Sequence, residues 1–193
     1  MLAPNVPNVL TILRILLVPV IVAALLDETP NGDLLAALVF AFASITDWVD
    51  GWLARSRNSI TTFGKLMDPI ADKLLVVAAL VSLVSLHRLQ AWVAMVIIAR
   101  ELAVTMSRMA ATGQGVVISA NRWGKIKTTV QVATIFLLIA VDPVHHQTWL
   151  DALVYLTVVV TVISGVDYFF GLRRRLGEHT AAAESSATAA RRR

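Results

Sequence analysis

Residues 47–72 read DWVDGWLARSRNSITTFGKLMDPIAD, and the spacing of their four carboxylates decides how the rest of the chain is read. Asp47 and Asp50 are three positions apart, Asp68 and Asp72 four. Residues three or four apart share a face of an α-helix, so each pair projects from one side of its own helix. The link between the pairs is short and folds the two helices antiparallel. That hairpin can bring all four carboxylates together.

Outward from this stretch the chain is apolar. Of its 193 residues 57% are hydrophobic, above the roughly 45–50% of a soluble domain. Its mean hydropathy is +0.72. Apolar segments recur at 8–26, 34–55, 66–87, 89–112, 124–141 and 149–172. They predict an all-α integral membrane protein with six transmembrane helices, each about 27–36 Å long against a hydrocarbon core of about 30 Å. Charge-free runs such as 34–46, 128–141 and 152–166 fall short of the roughly 18 uncharged residues of a simple span. Several helices must therefore carry charges inside the membrane. Arg14 and the apolar run after it superficially look like a signal peptide. Two prolines, two asparagines and Thr11 precede that run, however, and no small-x-small site ends it, so it is expected to be a retained helix.

Lysine and arginine fix the orientation. With the amino terminus in the cytoplasm, Arg55, Arg57, Lys65, Arg122, Lys125, Lys127, Arg173, Arg174 and Arg175 all fall on the cytoplasmic side, and Arg88 is the one basic residue of the opposite loops. Asp27, Glu28, Asp33, Asp142 and Asp151 lie on the outer side, with Trp149 at an interface. The expected domain is 1–175. Residues 176–193 shift to alanine, serine and threonine before three closing arginines, and are expected to form a disordered cytoplasmic tail. The absence of cysteine removes disulfides and thiolate metal sites. The net charge of +4 is spread between apolar runs without an aromatic-basic motif, so topology explains it and no nucleic-acid partner is expected.

Asp47 lies about 20 Å along a helix that starts near Asp33, which sinks the carboxylates in the cytoplasmic leaflet. One acidic residue at a helix centre already costs about 2.5–3.5 kcal/mol on insertion scales, so four require a cationic counterpart. Oxygen-only ligands with no nearby histidine favour Mg²⁺ or Mn²⁺ over zinc. Two divalent cations about 3.5–4 Å apart would use all four aspartates and keep positions open for substrate phosphate.

The full pattern, D-x-x-D-G-x-x-A-R-x8-G-x-x-x-D-x-x-x-D, resembles that of the CDP-alcohol phosphatidyltransferases, with every fixed position present. The resemblance implies a six-helix membrane fold, a homodimer in the cytoplasmic membrane, and an active site facing the cytoplasm. By position, Asp47, Asp50, Asp68 and Asp72 resemble the metal ligands. Asp72 also resembles the catalytic base for the incoming hydroxyl, and Gly51, Ala54, Arg55 and Gly64 resemble the CDP-binding positions. The roles suit the residues: Gly51 and Ala54 lack bulk, so ribose or pyrophosphate can come close, and Arg55 is a permanently charged planar donor. Taken alone, the small residues would suit tight helix packing equally well.

A narrower resemblance is to phosphatidylglycerophosphate synthases. It is carried by residues 5–14 (NVPNVLTILR), by Ala99, Arg100 and Glu101 with Arg108, and by residues 124–131 (GKIKTTVQ). It implies CDP-diacylglycerol and glycerol 3-phosphate as substrates among membrane lipids. Arg108, Lys125 and Lys127 would then bind the acceptor phosphate, although topological anchoring accounts for the lysines as well. Arg100 and Glu101 are adjacent and so are not expected to face each other. Arg100 either binds substrate or pairs with a buried carboxylate. Inositol phosphate and phosphatidylglycerol are the alternative acceptors. A cation transporter is the alternative of another class, since intramembrane aspartates also mark ion paths; a structural membrane protein gives no reason to gather four carboxylates. His87, His145, His146 and His179 are read as solvated, Trp48 and Trp52 as packing or lipid-facing, and Asp167 as lining the cavity or capping Arg173.

Overall fold

The computed structural model of the chain describes residues 6–27, 31–57, 62–113, 122–141 and 148–191. They form six helices: α1 Val6–Leu26, α2 Gly32–Arg57, α3 Thr62–Ser85, α4 Ala91–Gly113, α5 Arg122–Ala140 and α6 Thr148–Arg191. No strand occurs among the described residues. The helices coincide with the six apolar segments within a few residues at nearly every boundary. The exception is the carboxyl end, where α6 continues through 176–191 although the composition predicts a disordered tail. Alanine-rich sequence has high intrinsic helix propensity, and α6 supplies the nucleus that an isolated segment would have to form for itself.

Among the described residues one stretch, Thr148–Arg175 of α6, is long and apolar enough by itself to cross a membrane. Thr11–Leu26, Gly32–Thr46 and Lys73–Ser85 are shorter apolar segments. Asp33 in the first turn of α2 and Asp151 in that of α6 complement the positive end of each helix dipole.

Helix α1 packs along both α2 and α3, α5 along α2 and α6, and α4 along α6 and α3. The shared core contains Phe40 of α2, Leu80 and Leu83 of α3, Ile97 of α4, Ile135 and Ile139 of α5, and Leu150 of α6. Small residues are part of this packing: Ala36, Ala37 and Ala43 on α2 and Ala71 and Ala79 on α3 are all fully buried. Small side chains let helix backbones come together where dispersion, not water exclusion, supplies the attraction.

Large apolar side chains also face outward, and some polar ones inward. Leu16, Ile45, Met95 and Phe170 are each more than 60% exposed. Arg14, Glu101, Lys127 and Gln131 are buried. Thr134 satisfies its hydroxyl within its own helix at the carbonyl of Val130 (2.8 Å), and it also meets Thr157 across the α5–α6 contact at 2.7 Å. At one end of the bundle Arg88, in the α3–α4 turn, donates to Asp33 at 2.7 Å and to the Ile139 carbonyl at 3.5 Å, tying α2, α3 and α5.

Candidate active site

Asp47, Asp50, Gly51, Ala54 and Arg55 fall in the second half of α2, and Gly64, Asp68 and Asp72 in the first half of α3. The side chains of these eight residues lie outside the described residues, as does Asn5 of the first motif. Among the described residues there is no group of three or more histidines, cysteines or acidic residues suited to a metal. What the fold does supply is α1. It packs on both carboxylate-bearing helices and buries Thr11 and Arg14, each 3% exposed. An arginine sunk in that position puts a permanent positive charge on the helix that packs on both α2 and α3.

In α3, Asp72 is followed directly by Lys73, whose ammonium lies 2.6 Å from Glu101 Oε2 of α4. The other carboxylate oxygen, Oε1, pairs with Lys127 of α5. Both Glu101 and Lys127 have side chains only 4% exposed, whereas Lys73 is 24% exposed. A third cation joins them, because Arg100 Nη1 comes within 3.4 Å of Glu101 Oε1. Adjacent positions diverge at Cβ, as the sequence argument holds, but the arginine arm is long enough for its tip to reach the neighbouring carboxylate. The same guanidinium donates through Nη2 to Ser164 Oγ at 2.9 Å, and Ser164 donates to the Thr161 carbonyl at 3.0 Å. Gly165 lets the arm through: a Cβ there would stand 3.2 Å from Arg100 Cγ. Of the two roles open to Arg100, the geometry records the pairing.

The acceptor candidates are placed differently from one another. Arg108 is exposed near the end of α4, its guanidinium carbon 5.7 Å from the centre of the Tyr168 ring, within cation–π range. Lys125 is exposed in the first turns of α5, and Lys127 is the buried partner of Glu101. Arg108 and the two lysines therefore sit at the ends of α4 and α5 that residues 114–121 join. The sequence reading named Glu101 without a role and passed over Lys73. The available signal was an isolated lysine opening an apolar run directly after Asp72. Asp167 is half-buried on α6, His87 occupies the α3–α4 turn with φ of 56°, and His145 and His146 lie outside the described residues.

Residues 4–163 match the CDP-alcohol phosphatidyltransferase family. The chain is 41% identical over 180 residues to the CDP-diacylglycerol–glycerol-3-phosphate 3-phosphatidyltransferase of Bacillus subtilis, covering 86% of this chain and 93% of that protein. It is 36% identical over 169 residues to the Haemophilus influenzae protein of the same name, covering 85% and 91%. Its fold is similar to that of apo phosphatidylinositol phosphate synthase from Mycobacterium tuberculosis, with a TM-score of 0.56 and 22% identity over 85% of this chain and 87% of that one. With the aspartate motif complete on α2 and α3 and the match spanning most of its length, the chain belongs to the CDP-alcohol phosphatidyltransferase family.

Proposed function

We infer that the protein transfers the phosphatidyl group of CDP-diacylglycerol to sn-glycerol 3-phosphate, giving phosphatidylglycerophosphate and CMP. The observation that carries this reading is the unbroken aspartate motif of residues 47–72, in a chain 41% identical to a relative named for that reaction. The donor set of Asp47, Asp50, Asp68 and Asp72 is four carboxylates, on two helices that both pack against α1. Such oxygen donors fit Mg²⁺ or Mn²⁺. When bound there, two such cations would polarise the β-phosphoryl group and offset charge building on CMP.

The protein's own residues do the rest. Gly51 and Ala54 admit the nucleotide to the surface of α2, Gly64 does so at α3, and Arg55 opposes a phosphate. Asp72 takes the proton from the primary hydroxyl of glycerol 3-phosphate as that oxygen bonds to the β-phosphorus. The bond from this phosphorus to the bridging oxygen breaks, and CMP leaves with the electron pair. No covalent enzyme intermediate is needed. Arg108, Lys125 and Lys127 hold the acceptor phosphate.

The same reading places all six helices across the cytoplasmic membrane with the site facing the cytoplasm, the protein being a homodimer among lipids. The apolar exterior and the buried charges support it: a bilayer accepts exposed leucine and phenylalanine, and intramembrane charges turn inward. The lipid substrate then keeps its acyl chains in the leaflet while its pyrophosphate enters the bundle.

Purified protein given CDP-diacylglycerol and glycerol 3-phosphate is expected to release CMP in step with lipid formation, which cation transport would not do. Chelation should stop the reaction and Mg²⁺ or Mn²⁺, but not Zn²⁺ alone, should restore it. Undiminished turnover after rigorous metal removal would sink the metal assignment.

A further inference from the structure

The Glu101 junction is not needed to close the bundle, since well-packed apolar residues join helices at lower electrostatic cost than buried ions do. Charges kept inside a membrane protein mark function by default. Here one carboxylate, buried to 4% exposure, is shared by ammonium groups from two other helices. One of them, Lys73, adjoins Asp72 on α3; the other, Lys127, stands two positions from Lys125 on α5. Glu101 thus connects the turn that carries the base to the helix that carries the acceptor lysines. Lys73, at 24% exposure, is the more exposed of the two lysines.

We propose that Glu101 is a positioning residue for the acceptor: by gripping Lys73 and Lys127 it fixes the direction of both ammonium groups before glycerol 3-phosphate arrives. A lysine arm has several rotatable bonds, and ordering it in advance removes a cost that binding would otherwise meet. Arg100, held by Ser164 on the far side, braces the carboxylate from its own helix. The inference rests on the reading of Lys127 as an acceptor-phosphate residue.

The test uses the full chain, reconstituted with CDP-diacylglycerol and assayed for both Michaelis constants. Glu101→Gln, which keeps shape and removes charge, is expected to raise the KM for glycerol 3-phosphate about tenfold or more while that for CDP-diacylglycerol moves less than about threefold. Glu101→Asp, which keeps the charge on a shorter arm, should fall between Gln and the parent. In Lys127→Met the acceptor KM should also rise, and adding Glu101→Gln to it should raise it less than the product of the two single effects, because residues acting through one contact are non-additive. If Glu101→Gln does not purify folded, Glu101→Asp, alone and combined with Lys127→Met, carries the same comparison. An unchanged acceptor KM in Glu101→Gln, an equal rise for both substrates, or fully multiplicative effects in the double variant each overturn the positioning role alone. An unchanged acceptor KM in Lys127→Met overturns the acceptor reading, and the inference with it.

Discussion

Arg88 with Asp33 and Glu101 with its lysines are both salt-bridged junctions between helices, but they stand in different surroundings. The Asp33 side chain is 36% exposed and that of Arg88 13%, at the end of the bundle where water competes for the carboxylate. The Glu101 side chain is 4% exposed and has no such alternative. A pair that solvent can replace contributes little to stability and is free to vary in its role. A buried carboxylate shared by two lysines is expensive to assemble, so its presence points to use. The aspartates, Arg108 and Lys125 lie on the far side of Glu101 from the Arg88 turn along α2, α3, α4 and α5; the Arg88 end holds none of the proposed machinery.

The contrast is broken or sharpened most strongly at the aspartates. Asp47→Asn, Asp50→Asn, Asp68→Asn and Asp72→Asn should each lower kcat by about a hundredfold or more, with thermal unfolding in detergent little changed, because the amide keeps shape and loses anionic ligand character. Near-normal rates in three of the four would show the assignment to be wrong. Next in size are Arg108→Ala and Lys125→Ala. Each should raise the KM for glycerol 3-phosphate by about one to two orders of magnitude, equivalent to about 1.4–2.8 kcal/mol for a charge-assisted contact, with CDP-diacylglycerol much less affected. The smallest effect belongs to the far end. Asp33→Asn should cost about 0–1 kcal/mol of stability and leave turnover at the parent rate. A loss of turnover there as large as at Glu101 would erase the distinction between the two junctions.

The extents of the helices were legible in the sequence because apolar runs and their polar breaks are local signals. So was the motif that carries the family resemblance, whose carboxylate spacing is fixed within residues 47–72. At the carboxyl end composition over 176–191 points to disorder, while α6 runs on to Arg191, since a helix already formed extends through alanine at little cost. The Glu101 group was not legible, since Lys73, Glu101 and Lys127 belong to three helices and nothing in the order of residues states which helix faces pack. Pairwise spacing even argued against Arg100 and Glu101 meeting, because it follows Cβ directions and ignores the reach of a guanidinium arm. A lone lysine beginning an apolar segment, as Lys73 does, is the sequence sign to pursue: it must find an anion inside the fold.

The central claim is acceptor choice joined to CDP-diacylglycerol chemistry, and one competition measures it. Purified protein with CDP-diacylglycerol and Mg²⁺ is offered equal concentrations of glycerol 3-phosphate, inositol phosphate and phosphatidylglycerol, and the lipid products are identified by mass alongside CMP. The account predicts phosphatidylglycerophosphate as the dominant product, in equal amount to the CMP released. Phosphatidylinositol phosphate or cardiolipin as the main product would contradict the acceptor while leaving the family intact, and the absence of any CMP would contradict the enzyme itself.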